Sequence, residues 1–174
     1  MGGMIALDFA SRNPALASAV VVLESMVVAS QAVLLGLHDM LERVRSAESS
    51  DSVGKLLTYL MGPHFEPAER MGLLALSRAC RKNVLTSAIE GMIAFDSAAA
   101  AGRIECPLLY VGTEATYADL PRLKELCPGL VTGRVVGCGH YFPVEAPEQV
   151  NPMIARFVRT AVAGNADFTS RPAR

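Results

Sequence analysis

The sequence predicts an α/β fold with about three parallel strands, flanking helices and a helical insertion. Three short apolar runs, centred on Val20, Leu108 and Val131, are typical of strands in a parallel sheet. Helix-like segments alternate with these runs, and such alternation favours right-handed crossovers and parallel pairing. A length of 174 residues is enough for one domain with a single core.

The first elements are a helix and a strand. The segment Gly2 to Ala10 reads as a helix, and Asn13-Pro14 ends it because the residue before proline avoids helical angles. The segment Ser18 to Glu24 follows, with a continuous β-branched centre. We therefore predict that this strand is buried on both faces.

The middle of the chain is helical. Apolar residues recur at helical spacing from Gln31 to Ala47, and the polar run Ser49 to Ser52 is predicted to be a loop that caps the next helix. Further helices are predicted over residues 53–61, 67–79 and 83–95. We expect residues 29–96 to form a lid or cap domain over the sheet.

Strands and helices alternate again toward the C-terminus. The predicted strands are Pro107 to Gly112 and Val131 to Val136, and the predicted helices are Asp119 to Cys127 and Pro147 to Val162. Residues 1–28 and 97–164 would then form the core. The polar residues 165–174 are predicted to be a flexible tail.

Composition excludes several classes of function. Sixteen basic and seventeen acidic residues leave no basic stripe for nucleic acid, and no apolar run is long enough to span a membrane. The four cysteines lack metal-type spacing and indicate reduced thiols in a cytoplasmic protein. No nucleotide or zinc motif occurs, so we predict a small-molecule substrate with no metal and no cofactor. A homodimer is one assembly that we consider.

The motif Gly137-Cys138-Gly139-His140 is the most informative in the chain. It comes directly after the last predicted strand, and its glycines permit a sharp turn that carries the histidine out of the sheet. The following residues read as a turn that leads into a helix. A histidine in this setting is typical of a functional residue, whereas His38 lacks such a setting.

The segment Val135 to Val150 resembles the catalytic-histidine segment of the α/β-hydrolase superfamily. The first residues, Met1-Gly2-Gly3, resemble the second half of that family's nucleophile elbow, G-x-S-x-G-G. The matching serine would lie one position before Met1, and fewer than half of the family's usual strands are present. We therefore expect a partial α/β-hydrolase fold, a fragment of a longer protein, and no activity from this chain alone.

The resemblance implies roles for named residues. It implies that His140 is the general base of a Ser-His-acid triad. The acid is left open between Glu24, which ends the first strand, and Glu114, which follows the second. The remaining implied residues are Met1 and Gly2 for the oxyanion hole and elbow, and Tyr141, Phe142, His64 and Phe65 for substrate binding.

Three functions follow from these observations. The first is that the intact protein is a serine hydrolase of carboxylic esters. The second is a hydrolase similar to haloalkane dehalogenases, with an upstream aspartate nucleophile and Glu24 as the acid. The third is a non-catalytic binding protein or pseudo-enzyme, which would need no nucleophile.

Overall fold

A computed structural model describes residues 1–46 and 49–164 of the chain. The predicted tail (165–174) and Ala47, the predicted end of a helix, lie outside the described residues. The strands are β1 (Val20–Leu23), β2 (Leu108–Gly112) and β3 (Val131–Arg134). The helices are α1 (Gly2–Arg12), α2 (Gln31–Arg45), α3 (Ser49–Leu60), α4 (Pro67–Ala79), α5 (Lys82–Ala94), α6 (Ser97–Ala101), α7 (Leu120–Leu126), α8 (Phe142–Glu145) and α9 (Pro147–Gly164).

The three strands form one parallel sheet in the order β1-β2-β3. Val20 pairs with Leu108, and Leu109 pairs with Val131. All five residues of the central strand β2 are buried, as expected for a strand with neighbours on both sides and helices on both faces. The predicted α/β class and parallel sheet are confirmed.

Helices cover both faces of the sheet. Leu108 and Tyr110 of β2 pack with α1, α6 and α7 on one face, whereas Leu109 and Val111 pack with α9 on the other. Successive side chains of a strand point to opposite faces, so one apolar strand supplies two cores. Phe157 of α9 belongs to the second core.

Helices α2 to α5 form a block between β1 and β2 in the sequence, with a small core of their own. Leu37, Leu41 and Val44 of α2 pack against Ile89 of α5. An ion pair of 2.8 Å between Arg45 and Glu90 joins the same two helices at the surface. We refer to α2–α5 with their connections as the helical block, and its action as a lid stays a prediction.

Several predicted boundaries differ from the structure. The predicted loop at Ser49 to Ser52 is wrong, because these residues form the first turn of α3. Serine and aspartate are tolerated at a helix N-terminus, so the polar run extended the helix instead of interrupting it. Helix α6 was not predicted, although Asp96 caps it by accepting a hydrogen bond from the N–H of Ala99 at 2.9 Å.

Strands β1 and β3 are shorter than predicted. At the end of β3, the side-chain amide of Gln149 accepts from the N–H of Val136 at 2.9 Å and donates to its carbonyl at 3.1 Å. These bonds occupy the backbone groups of Val136 that a longer strand would need. At the end of β1, Glu24 takes a φ of 43°, which turns the chain out of the sheet.

Residues 1–46 and 49–164 contain neither a candidate membrane span nor a candidate metal-binding cluster. None of the helices there is long and apolar enough to cross a membrane. No group of three or more His, Cys, Asp or Glu side chains in the same residues could hold a metal ion.

Candidate functional site

His140 lies in the loop between β3 and α8. Gly137 has a φ of 72°, a region that glycine enters without strain, and this turn directs the chain away from the sheet. The N–H of His140 donates to the carbonyl of Leu60 at 2.7 Å. Its Nδ1 atom is buried and has no hydrogen-bond partner among the described residues.

Two aromatic rings flank the imidazole of His140. The ring centroids of Tyr117 and Tyr141 lie 5.9 Å and 5.2 Å from it, both in edge-to-face orientation. Burial lowers the pKa of His140 below its usual 6.5, and the positive charge of the Met1 amino group lowers it further. The neutral imidazole, which can accept a proton, is therefore favoured near pH 7.

Glu24 is a buried carboxylate at the end of β1, with 1% of its surface exposed. The backbone N–H of Thr113 donates to it, and the N–H of Tyr117 lies near enough to favour its charged form. Burial raises the pKa of Glu24 above its usual 4.5, although these two N–H groups oppose the increase. Its Oε1 atom has no partner among the described residues.

Tyr117 connects Glu24 with His140. Its N–H favours the charged form of the Glu24 carboxylate, and its ring contacts the imidazole. Three buried side-chain atoms of the described residues have no hydrogen-bond partner, and they are Glu24 Oε1, Ser25 Oγ and His140 Nδ1. Buried polar atoms usually have partners, so the presence of one such atom on each of Glu24 and His140 draws attention to this region.

Glu114 has different surroundings. Its side chain is 91% exposed and forms an ion pair of 3.1 Å with Arg134 at the end of β3. An exposed pair of this kind contributes little to stability, typically less than about 1 kcal/mol. The two candidate acids therefore differ in burial, and only Glu24 shares a neighbour with His140 in the described contacts.

The N-terminus of α1 also lies near His140. Burial lowers the pKa of the Met1 amino group, whose charge acts on the imidazole. Gly2 has no heavy atom within 4 Å of an added Cβ, whereas a Cβ on Gly3 would lie 2.7 Å from Ser25 Oγ. Close packing of α1 on the sheet therefore requires glycine at position 3 but not at position 2.

The four predicted substrate-binding residues fall into two groups. Tyr141 contacts both His140 and Phe65, and the Phe65 and Tyr141 ring centroids lie 5.9 Å apart. His64 is exposed beside this pair. Phe142 is fully buried in the core between the sheet and α9, so its side chain does not reach an open surface in this structure.

Sequence reasoning missed Tyr117 and Glu145. No local pattern marks Tyr117, because its contacts depend on how the loop after β2 folds around Glu24. Glu145 accepts hydrogen bonds from the N–H groups of Gly139 and His64. Its position five residues after His140, directly before α9 in the sequence, was the available signal.

An apolar groove of about 290 Å³ lies between α1 and α5. Met1 lines it together with Met4, Ile5, Met92 and Phe95. Met1 is the one residue proposed for the site that lines this groove, and His140 is not among its lining residues.

Sequence comparison found no relatives. No protein-family model matches the chain. No curated protein is similar to it by sequence.

Solved structures are similar to the chain in fold. The enol-lactonase from Burkholderia xenovorans LB400 has a TM-score of 0.71 and 16% identity, over 91% of this chain and 63% of that one. A thermophilic esterase from Thermogutta terrifontis has a TM-score of 0.72 and 18% identity, over 92% of this chain and 62% of that one. MGS-M2, an α/β hydrolase enzyme from a Medee basin deep-sea metagenome library, has a TM-score of 0.73 and 18% identity, over 90% and 62%.

These similarities establish the fold. The chain spans less than two thirds of the length of each of the three structures, and nine tenths or more of it is matched. The three parallel strands and flanking helices therefore form a partial α/β-hydrolase fold.

Proposed function

We propose that the chain forms the histidine-and-carboxylate part of the active site of a serine hydrolase that cleaves carboxylic esters. The observation that carries this proposal is the pair of unpartnered atoms, His140 Nδ1 and Glu24 Oε1, on two residues that share Tyr117 as a neighbour. A ring nitrogen and a carboxylate are the groups that a Ser-His-acid triad joins.

In this proposal His140 is the general base. A serine that precedes Met1 in the intact protein attacks the ester carbonyl, and His140 Nε2 takes its proton. The carbon–oxygen bond to the alcohol then breaks, and the alcohol leaves with that proton. Water attacks the acyl-serine by the same route in reverse and releases the carboxylic acid. The lowered pKa of His140 supports the role, because the neutral ring is the active form.

We assign Glu24, not Glu114, as the acid. A buried carboxylate beside the base can fix the imidazole tautomer and stabilise the imidazolium ion that forms. Glu24 is buried, whereas Glu114 is exposed and paired with Arg134. A small reorientation of either side chain would be needed for Glu24 Oε1 to accept from His140 Nδ1.

The apolar groove along α1 supports an ester with an apolar acyl or alcohol group. Two of the similar structures are named as an esterase and an enol-lactonase, and lactones are cyclic esters. At the proposed elbow, the residue in the position of Met1 would contribute its N–H to the oxyanion hole. Tyr141 and Phe65 are proposed to border the substrate.

Hydrolysis of p-nitrophenyl esters tests the proposal. The assay uses this chain and the longest in-frame protein that contains it, with acyl groups of increasing length. The His140→Ala substitution should reduce turnover by a factor of about 10³ or more. The matched control is His38→Ala, on the exposed face of α2. Undiminished turnover in His140→Ala, or no turnover in any form, would contradict the proposal and favour a non-catalytic binding protein.

The position of Glu24 also fits a second candidate function. An acid at the end of the strand that follows the nucleophile helix resembles the arrangement in certain haloalkane dehalogenases. Release of chloride from 1-chlorobutane, with no turnover of esters, would favour this alternative. In both chemistries Glu24→Gln should impair turnover and Glu114→Gln should not.

A further inference from the structure

Glu145 bridges two segments that are distant in the sequence. Its Oε2 atom accepts from the N–H of Gly139 at 2.9 Å, and its Oε1 atom accepts from the N–H of His64 at 3.3 Å. Gly139 precedes His140, and His64 lies in the connection between α3 and α4. A carboxylate has two accepting oxygens and no donor, so it matches two converging N–H groups.

Other contacts join the same two segments. The N–H of His140 donates to the carbonyl of Leu60 at 2.7 Å, and the rings of Phe65 and Tyr141 are in contact. The backbones of Gly62 and Gly139 pack so closely that a Cβ on either would collide with the other residue. The helical block is thus attached to the histidine loop over residues 60–65.

The histidine loop requires support from outside. Gly137 and Gly139 give its backbone conformational freedom, and no described residue forms a hydrogen bond with the buried Nδ1 of His140. The restraints on the loop include the hydrogen bonds of its backbone, its close packing on Gly62 and the two tyrosine rings. The carboxylate of Glu145 binds the N–H of Gly139, the residue directly before His140.

We propose that Glu145 is a positioning residue that couples the helical block to His140. By bonding to Gly139 and His64 at once, it fixes the loop that carries the imidazole relative to residues 60–65. Displacement of the block at these residues then displaces the imidazole. The catalytic consequence rests on the proposed function, whereas the mechanical coupling does not.

Amide hydrogen exchange measured by NMR on the chain tests the coupling. Glu145→Ala removes both acceptors, and Glu145→Gln keeps one accepting oxygen. The control is Glu148→Gln, which removes an exposed negative charge from the first turn of α9. We expect exchange at Gly139, His140 and His64 to accelerate together, about fivefold to tenfold in Glu145→Ala and less in Glu145→Gln. Exchange at Tyr110 in β2 should change little.

Three outcomes would overturn the coupling. They are unchanged exchange at all three amides, acceleration at Gly139 alone, and equal acceleration at Tyr110, which would indicate a general loss of stability. A catalytic readout separates the two proposals. In a form that hydrolyses esters, Glu145→Ala should lower kcat with little change in KM. If exchange responds as expected but His140→Ala leaves turnover intact, the coupling stands and the proposed function fails.

Discussion

The carbonyl of Leu60, the last residue of α3, accepts a hydrogen bond of 2.7 Å from the backbone N–H of His140. This bond joins the end of a helix in the inserted block to the loop that follows the last strand. The position of the imidazole therefore depends on the block as well as on the sheet. Substitutions that separate the end of α3 from the histidine loop should therefore disturb both the helical block and the position of the imidazole.

Gly139→Ala should destabilise the chain. A Cβ at this position would lie 2.7 Å from the carbonyl carbon of Met61 and would also collide with the backbone of Gly62. Overpacking of this kind costs about 1–3 kcal/mol of unfolding free energy. Urea unfolding measures the change.

Gly36→Ala is the matched control for Gly139→Ala. Gly36 lies in the exposed part of α2 with no heavy atom within 4 Å of an added Cβ, so alanine should stabilise the helix by about 0.5–1 kcal/mol. Equal effects of the two substitutions would argue against close contact between Gly139 and the block.

Adjacent glycines at the start of α1 should also respond differently. An added Cβ on Gly3 would lie 2.9 Å from Val22 Cγ1 and would collide with the side chain of Ser25, whereas one on Gly2 would meet nothing within 4 Å. Gly3→Ala is expected to lower the melting temperature and to cost about 1–3 kcal/mol. Gly2→Ala should leave the melting temperature nearly unchanged. A larger decrease for Gly2→Ala would mean that α1 packs on β1 in another way.

The sheet was predictable because its determinants are local. The apolar runs at Val20, Leu108 and Val131 have no competing helical pattern, and Asp119 caps α7 through the N–H of Arg122 as its position indicated. Strand ends were less predictable. The backbone groups of Val136 bond to the side chain of Gln149. Gln149 lies in α9, so the apolar pattern of the strand itself gives no sign of where the strand ends.

The candidate site was predictable only where its signal is local in the sequence. The glycines around His140 mark it within four residues of sequence. The choice between Glu24 and Glu114 depends on burial, and burial depends on how the loop after β2 folds. No period or spacing carries that information. Glu145 was missed because its two partners lie in different segments of the chain.

Glu24→Gln should change stability in a manner that depends on pH. The raised pKa means that the folded state holds this proton to a higher pH than the unfolded state does. The associated stabilisation is complete below pH 4.5, the usual value, and is lost as pH rises through the folded pKa. Since glutamine does not titrate, the variant should gain stability relative to the native chain as the pH rises above 4.5.

Glu114→Gln is the control for this comparison. Its exposed ion pair with Arg134 predicts a change of less than about 1 kcal/mol. Urea unfolding at several pH values supplies both differences. A Glu24→Gln difference that stays constant with pH would show that the carboxylate is not desolvated as the structure indicates.

The imidazole of His140 should titrate below pH 6.5. Burial and the Met1 amino group both disfavour its charged form. The unfolded state therefore binds more protons as pH falls through 6.5, and the unfolding free energy of the native chain should decrease there. His140→Gln should lack that part of the decrease. Added salt screens the charge of Met1 but not the effect of burial, so the pKa of His140 should rise only slightly with ionic strength.

The pH dependence of the imidazole proton shifts in NMR spectra measures the pKa of His140, and the spectrum of His140→Gln identifies the resonance. A midpoint at or above 6.5 would mean that the ring is more solvated than the described contacts with Tyr117 and Tyr141 imply.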